Sequence, residues 1–209
     1  MPASLWQLSI EEFREKVASN DTTVAAVSVA TVAAASALNL VVMVLEVIGK
    51  RKGFAGDMSR LEALSDAARE ESDRLARYTD EDPAAYAGFM RCVRMPKNNE
   101  AERIERARAM AQALRRATDV PLAAARTAVA GLNICAEAAA MAHGAVATDL
   151  GGAAMLLAGA TRAMLLSVDA NLAALSESEY RDQVAEERAE LEDAAARQEK
   201  AVRKRIAAL

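Results

Sequence analysis

The side chains best suited to acid–base chemistry in this sequence are one histidine, two aspartates and a lysine-rich turn. His143 is the single histidine, Asp82 and Asp149 stand at expected helix starts, and Lys50 and Lys52 belong to a basic turn. Carboxylate, imidazole and ammonium groups can all move protons during a reaction. Each residue also has a structural explanation, because aspartate is a preferred N-cap, cations favour helix C-termini and His143 can simply end a helix. Taken singly, these residues do not indicate an enzyme.

Other catalytic and metal-binding motifs are absent from the sequence. It has no glycine-rich phosphate loop, no nucleophile elbow and no second histidine that could join His143 at a metal. The cysteines, Cys92 and Cys135, lack metal or redox spacing, so we expect reduced core residues. We therefore expect no metal and no tightly bound cofactor. The net charge of −4 also disfavours a nucleic-acid partner.

The composition indicates that helices position these residues. Apolar residues make up 53% of the chain but aromatic residues only 3%, because alanine, the best helix former, dominates. Nine glycines and four prolines in 209 residues leave few breaks, so the helices should be long. We predict an all-α fold, with residues 1–209 forming one domain that is a bundle of long antiparallel helices.

Capping residues and prolines predict where these helices begin and end. Capping boxes start the first and last helices, and proline is favoured in a first helical turn. The first expected helix runs from Ser9, which forms a capping box with Glu12, to about Ala18; a break at Asn20, Asp21 and Thr22 follows, and a second, apolar helix then runs to about Ile48. After a basic turn from Lys50 to Gly53, a third helix starts at Asp57, and a fourth runs from Asp82–Pro83 to Met95-Pro96-Lys97. The last four expected helices run from Asn98 or Asn99 to about Thr118, from Pro121 to about Met141, from Thr148–Asp149 to about Leu175, and from Ser176, in a capping box with Glu179, to the C-terminus.

The run from Thr22 to Leu45 contains no charged residue and is long enough to span a bilayer. Its hydroxyl residues and high alanine content favour instead a buried central helix that the bundle surrounds, with a membrane protein as the alternative. Small residues occupy more than one face of segments 23–38, 122–140 and 151–163, and one bundle cannot bury all of these faces. We therefore expect a subunit interface to cover the remainder in a homo-oligomer, for which a symmetric dimer is the favoured form. The N-terminus lacks the pattern of a signal peptide, which predicts a cytoplasmic protein.

Several short segments follow one another in a fixed order: Ile48-Gly49-Lys50-Arg51-Lys52, Asp82-Pro83-Ala84-Ala85-Tyr86, Met95-Pro96-Lys97-Asn98, Ala117-Thr118-Asp119-Val120-Pro121-Leu122, Thr148-Asp149-Leu150 and Ser167-Val168-Asp169-Ala170-Asn171-Leu172. In order and spacing they resemble landmarks of the helical cyclodeaminase and cyclohydrolase family of one-carbon metabolism. That family includes the cyclodeaminase domain of formiminotransferase-cyclodeaminase and methenyltetrahydrofolate cyclohydrolase. The resemblance covers nearly the whole chain.

The resemblance implies a dimeric bundle that binds a reduced folate near the subunit interface and opens or closes the N5–N10 one-carbon bridge. A carboxylate would stabilise the methenyl cation and activate water, and a proton donor would assist the leaving nitrogen. The implied catalytic residues are Asp82, Asp149 and Lys50, with His143 taking part of the acid–base work in a divergent enzyme. The implied substrate-binding residues are Lys52, for the acidic glutamate tail of the folate, and Ser28, Ser167 and Asn171.

The sequence also departs from the family. Where the family has a Thr-Pro-Gly-Gly-Gly-Ser loop, this chain reads Thr22-Thr23-Val24-Ala25-Ala26-Val27-Ser28. Without glycine we expect this segment to continue as helix and to lose the exposed backbone amides of the loop. The family's Gly-Asn-x-Asn stretch is missing before Asp149. Three functions therefore stay open: a folate cyclohydrolase or cyclodeaminase, an enzyme for another pterin or one-carbon carrier, and a non-catalytic binding or assembly module. Convergence of Lys50, Asp82 and Asp149 on one cleft would favour catalysis, whereas a cleft filled by Val24 and Val27 would argue against a folate.

Overall fold

A computed structural model describes residues 4–20, 22–52, 54 and 56–208. The described chain forms a short 3₁₀ turn and six α-helices, with no strand among these residues. The 3₁₀ turn covers Leu5–Gln7, and the helices are α1 (Ile10–Ala18), α2 (Ala26–Gly49), α3 (Met58–Val93), α4 (Glu100–Ala139), α5 (Ala145–Leu172) and α6 (Ser178–Ile206). The predicted all-α bundle of long helices is confirmed.

Helix α2 is the central helix of the bundle, as the uncharged run predicts. It packs against α3, α4 and α5, and most of its alanine, valine and leucine side chains are fully buried. The contact with α4 is close because Gly131 faces Leu38, and a Cβ added at Gly131 would lie 2.8 Å from the Leu38 side chain. Small residues thus let α4 lie directly against α2.

Two helices, α2 and α5, are long and apolar enough to cross a membrane by length and composition alone. Within their most apolar windows, 61% of the α2 residues and 50% of the α5 residues are buried inside the bundle. Core helices of soluble bundles pass the same composition test. The enclosure of α2 by its neighbours is therefore the simpler explanation of its hydropathy.

Two predicted helix starts are wrong, because Pro83 lies inside α3 and Pro121 lies inside α4. A proline within a helix leaves the carbonyl four residues earlier without its N–H partner. In α3 that carbonyl belongs to Thr79, and the Ser28 hydroxyl of α2 donates to it over 3.2 Å. In α4 it belongs to Ala117, and the Asn171 side-chain amide of α5 donates to it over 3.1 Å. Side chains from neighbouring helices therefore allow both helices to continue.

The other boundaries agree in part with the predictions. Ser9 forms the predicted capping box with Glu12, and Asp57 and Asn99 cap α3 and α4 through their side chains. Helix α2 begins at Ala26, so residues 22–25 do not form the continued helix that was expected where the family has its glycine loop. Helix α5 begins at Ala145, after Gly144 with its positive φ of 62°, rather than at Thr148–Asp149. No capping box forms at Ser176, because α6 begins at Ser178. The predicted break at Asp21 and turn residue Gly53 lie outside the described residues.

Candidate functional site

A cavity of about 330 Å³ lies where the start of α2 meets α3, α4 and the end of α5. Three of the residues predicted from the sequence line it together, namely Asp82, Ser167 and Asn171. We call this cavity the Asp82 pocket; its remaining lining residues are Thr22, Thr23, Ala25, Ala26, Val27, Tyr86, Phe89, Leu114, Ala117 and Ala170. Asp82 is the one residue of this lining whose side chain ionises near neutral pH.

Burial of Asp82 raises the pKa of its carboxyl group to about 6. Desolvation disfavours the charged carboxylate, and no hydrogen bond from another described residue stabilises it. A carboxyl group with a pKa close to neutrality can both accept and donate a proton at physiological pH. The electrostatic environment of Asp82 is therefore suited to proton transfer.

Hydrogen bonds of buried hydroxyl groups connect α3 to α2 about one helical turn before Asp82. The Thr79 hydroxyl donates to the Thr31 hydroxyl over 3.0 Å, and the Ser28 hydroxyl donates to the Thr79 carbonyl. Ser28, Thr31 and Thr79 are all fully buried. The structure therefore places Ser28, a predicted substrate-binding residue, beneath the Asp82 pocket rather than in its lining.

The side chain of Asn171 is oriented by a hydrogen bond to a carbonyl group that Pro121 leaves without a backbone partner. Its amide nitrogen donates to the Ala117 carbonyl, which Pro121 leaves free, so its side-chain oxygen remains as a hydrogen-bond acceptor. Ser167 lies one helical turn earlier on α5 and lines the same cavity. The C-terminal end of α5 thus supplies two polar groups opposite Asp82.

Two aromatic residues of the Asp82 pocket were not among the predicted site residues. Tyr86 and Phe89 follow Asp82 by four and seven residues on α3, which places all three on one face of the helix. That spacing was the sequence signal that could have identified them. Both rings line the cavity and offer flat apolar surfaces on which a planar ligand can stack.

Val27 contributes to the wall of the Asp82 pocket, whereas Val24 lines a neighbouring groove. The side chains of Val24 and Val27 therefore do not fill the pocket. The remaining volume of about 330 Å³ is at the lower end of the range for small-molecule sites.

The other predicted residues lie at the opposite end of α2. Lys50 and His143 line a shallow groove of about 600 Å³ together with Val47, Ile48, Arg51, Ala145 and Val146. Lys50 is 80% exposed and pairs with Glu46 over 3.6 Å, and Nδ1 of His143 lies 2.9 Å from the Met141 carbonyl. We call Lys50, Arg51, Lys52 and His143 the basic end.

The two groups of predicted residues are far apart within one chain. Helix α2 has 24 residues, so the basic end lies about 36 Å from the Asp82 pocket along its axis. Asp149 is half-buried near the start of α5, on the side of the basic end. Lys50, Asp82 and Asp149 therefore do not converge on one cleft of a single chain. Among the described residues, no group of three or more His, Cys, Asp or Glu side chains could hold a metal ion.

Comparison with known proteins gives a consistent result. The family model described as Formiminotransferase-cyclodeaminase matches residues 9–190. The crystal structure of formiminotetrahydrofolate cyclodeaminase from Thermotoga maritima superposes with a TM-score of 0.87 at 24% sequence identity, covering 98% of each chain. At that identity the superposition shows a shared fold. No curated protein sequence matches the chain.

Proposed function

The chain belongs to the formiminotransferase-cyclodeaminase family, and from this premise we propose that it is a one-carbon enzyme that acts on a tetrahydrofolate derivative. The proposed reaction is the deamination of formiminotetrahydrofolate to methenyltetrahydrofolate, with the hydrolysis of methenyltetrahydrofolate as a second reaction of the same pocket. The observation that carries the proposal is the Asp82 pocket, in which a carboxyl group of raised pKa faces polar and aromatic side chains.

Ring closure requires proton transfer, which Asp82 can perform. In formiminotetrahydrofolate, N10 attacks the protonated formimino carbon and forms a tetrahedral adduct that carries an amino group. The Asp82 carboxylate accepts the proton that N10 loses, and the resulting carboxylic acid donates it to the amino group. Ammonia then leaves, and the restored carboxylate stabilises the methenyl cation. A pKa of about 6 suits both halves of this transfer.

The other lining residues suit a pterin. Tyr86 and Phe89 can stack on a planar bicyclic ring, and the side-chain oxygen of Asn171 can accept a hydrogen bond from a ring amino group. Ser167 adds a hydroxyl group that donates or accepts. The cavity holds the ring portion of a folate, and the rest of the molecule extends towards solvent.

A non-catalytic binding or assembly module is the second candidate function, and two observations favour it. Lys50 and Asp149 lie at the other end of the bundle from Asp82 within one chain. Ala25, Ala26 and Val27 line the pocket where family members have glycines, so backbone amides are less accessible to a ligand. An enzyme for a different pterin carrier would use the same pocket with a differently shaped ligand. Activity measurements with several pterins separate these candidates.

We also propose that the protein acts as a homodimer in the cytoplasm. Two uncharged stripes run along the outer faces of α2 and α5, which lie side by side, with a spacing of alternately three and four residues. This spacing is typical of helices that pack on other helices, and large apolar patches are uncommon on monomers. We call these stripes the seam; its residues are Val29, Ala33, Ser36, Leu40, Met43 and Val47 of α2, and Gly152, Leu156, Gly159, Ala163, Leu166 and Ala170 of α5.

The test is the appearance of the near-ultraviolet absorbance of methenyltetrahydrofolate when purified protein is added to formiminotetrahydrofolate. We expect turnover by the wild type and a loss of about 10²- to 10⁴-fold in kcat for Asp82→Asn, which cannot accept the proton. Asp73→Asn is the matched control, because Asp73 is an exposed aspartate of the same helix. It should retain wild-type activity.

Equal turnover rates for the wild type and Asp82→Asn would show that Asp82 takes no part in the reaction. Decay of added methenyltetrahydrofolate above the buffer rate would identify the hydrolytic reaction instead. Wild-type protein that changes neither substrate nor other reduced pterins contradicts the enzyme proposal, and binding of the same ligands without turnover would support the module.

A further inference from the structure

We propose that residues 84–116, which comprise the end of α3, the following turn and the start of α4, form a lid for the Asp82 pocket. The lid pivots about two proline hinges and closes Tyr86 and Phe89 over a bound ligand. The hinges and the lid belong to the chain itself. The role of the lid in the reaction rests on the proposed function, and it decides which of the two proposed reactions the pocket performs.

The lid projects beyond the rest of the bundle. None of the residues 86–113 is buried. The buried residues of the lid, Ala85 and Leu114, lie at its base, where the Arg115 guanidinium also stacks on the Tyr180 ring of α6 at 4.1 Å. From Leu114 to the start of α4 the lid extends over about 21 Å. Core packing therefore does not hold most of the lid in place.

The far end of the lid is tied together by hydrogen bonds, so the lid can move as one body. The Arg106 guanidinium donates from Nε and Nη2 to the Val93 carbonyl at the end of α3, over 3.3 and 3.1 Å. In the turn, the Asn98 N–H donates to the Glu102 carboxylate over 2.7 Å. These bonds join the two helices of the lid to each other and not to the bundle.

Both helices of the lid carry a proline near the point where they enter the bundle. Pro83 lies in α3 and Pro121 in α4, and each removes one backbone hydrogen bond, at the carbonyls of Thr79 and Ala117. Those carbonyls accept instead from side chains of α2 and α5. A helix bends most readily where its own backbone hydrogen bonds are interrupted. Each proline is therefore a hinge.

The two hinges lie side by side. Helices α3 and α4 are antiparallel, because Arg60 of α3 pairs with Glu137 of α4 near one end and Val93 of α3 meets Arg106 of α4 near the other. Between these contacts the helices run next to each other, which brings the two interruptions to about the same level of the bundle. The lid can therefore rotate about one line without breaking a backbone hydrogen bond of either helix.

The hinge is connected to the pocket through Asn171. Its amide nitrogen donates to the Ala117 carbonyl at the hinge, and its side-chain oxygen is available to a ligand. A ligand that bonds to this oxygen therefore shares one amide group with the hinge, and such linked hydrogen bonds strengthen one another. Tyr86 and Phe89 lie on the lid side of Pro83, so rotation of the lid changes the width of the pocket.

Closure of the lid affects the outcome of the reaction through water. Ring closure produces the methenyl group, and this group is hydrolysed only if water reaches its carbon. A closed lid excludes water from the pocket and lets the deamination product leave intact, whereas an open lid allows hydrolysis to follow. The lid thus selects between the two reactions proposed for one pocket.

Distances between spin labels measure the position of the lid without any measurement of activity. In a Cys92→Ser background, labels are attached at Ile104→Cys on the lid and at Gln183→Cys on α6, and a reference pair joins Gln183→Cys to Lys200→Cys, also on α6; all three positions are exposed. Cys135 is buried and is left in place. Labelled protein is diluted into unlabelled protein, so that only distances within one chain are recorded.

In the free protein we expect a broader distribution of distances for the lid pair than for the reference pair. The probe for closure is 5-formyltetrahydrofolate, which resembles the formimino substrate but has no ammonia to lose. It should shift the lid pair to one narrow distance, because a rotation of about 15° moves a site roughly 20 Å from the hinge by about 5 Å. The reference pair should not change.

Pro83→Ala/Pro121→Ala gives both hinges their backbone N–H groups again. This double variant should narrow the distribution of the free lid pair, abolish the shift and weaken binding of 5-formyltetrahydrofolate by about tenfold. Pro121→Ala alone should reduce all three effects, which keeps the test available if the double variant folds poorly. Pro96→Ala is the matched control, because Pro96 is exposed in the turn at the far end of the lid, and it should behave as the wild type.

A free lid pair as narrow as the reference pair would overturn the proposal, and so would a ligand shift that persists in Pro83→Ala/Pro121→Ala. No binding of 5-formyltetrahydrofolate by the wild type would contradict the proposed function instead, and the widths of the free distributions would then decide the hinge. With turnover, the double variant should release more formyltetrahydrofolate relative to methenyltetrahydrofolate than the wild type. An unchanged ratio would show that the lid does not select the reaction.

Discussion

Both ends of the bundle carry ionisable side chains, but the two sets lie in different environments. At the Asp82 pocket, the carboxyl group is buried enough to have a pKa of about 6, and the polar groups around it are fixed by hydrogen bonds between helices. At the basic end, Lys50 is 80% exposed, and Arg51 and Lys52 are exposed as well. The carboxyl group at one end is thus largely withdrawn from water, whereas the lysine and arginine side chains at the other end are exposed to it.

This difference shows why residue type alone is a poor guide to chemistry. A carboxyl group changes its protonation behaviour when water is withdrawn from it, so its surroundings matter as much as its chemical type. The following predictions test how far the contrast between the ends extends, from the largest expected effect to the smallest.

The pH dependence of stability should reveal the buried carboxyl group. The pKa of Asp82 rises from an ordinary value of 3.8 in the unfolded chain to about 6 in the folded protein, so folding favours the protonated form. The stabilisation is present below pH 3.8 and is lost as the pH rises through 6, at a cost of up to about 3 kcal/mol. We expect Asp82→Asn, which lacks this titration, to gain stability relative to the wild type between pH 4 and 7.

Denaturant unfolding at several pH values measures this effect. Asp73→Asn, at an exposed aspartate of the same helix, is the control variant measured alongside. A constant difference for Asp82→Asn would show that Asp82 is as well solvated as the residues of the basic end.

Asn171 should be coupled to Pro121. Asn171→Ala leaves the part-buried Ala117 carbonyl without its side-chain donor, which costs about 1–2 kcal/mol. In a Pro121→Ala background the new backbone N–H can bond to that carbonyl, so the same change at Asn171 should cost less. A double-mutant cycle measured by denaturant unfolding gives the coupling. Additive effects would mean that Asn171 does not compensate for the proline.

Ser28 should be coupled to Pro83 in the same way but more weakly. The hydroxyl donates to the Thr79 carbonyl over 3.2 Å, and Ser28→Ala should cost about 1 kcal/mol. Pro83→Ala should remove most of this cost in the corresponding cycle. If Ser28→Ala instead abolishes folate binding and leaves stability unchanged, Ser28 contacts the ligand rather than the helix.

The basic end should show the smallest effect on stability. Lys52→Ala changes an exposed side chain, and such changes usually alter the free energy of unfolding by less than about 0.5 kcal/mol. The same unfolding measurement applies. A loss above 1 kcal/mol that disappears on dilution would show that this end is covered by a second copy at higher protein concentration.

The sequence predicted the fold where the signals were local. Ser9, Asp57 and Asn99 cap their own helices, and the uncharged run predicted a buried central helix. The prolines misled because the groups that compensate for them are remote: Ser28 lies 51 residues from Thr79, and Asn171 lies 54 residues from Ala117. No local pattern shows that such a partner exists.

The candidate site was predictable to a similar extent. Family resemblance selected Asp82, Ser167 and Asn171, which the fold brings together. It also selected Lys50 and Asp149, which lie at the other end of the bundle. The position of a residue in the sequence does not show at which end of the bundle it lies. That depends on how the helices pack. Tyr86 and Phe89 were missed because aromatic residues on one helix face are read first as core.

The central position of α2 has a consequence for how the chain is made. The ribosome completes α2 long before it begins α5, because the segment from Gly49 to Ala145 must be synthesised between them. At typical rates this takes on the order of 5–20 s, during which a very apolar helix lacks one of the helices that enclose it. We therefore predict that the nascent chain binds chaperones that hold exposed apolar segments, and that the yield of folded protein falls when those chaperones are scarce.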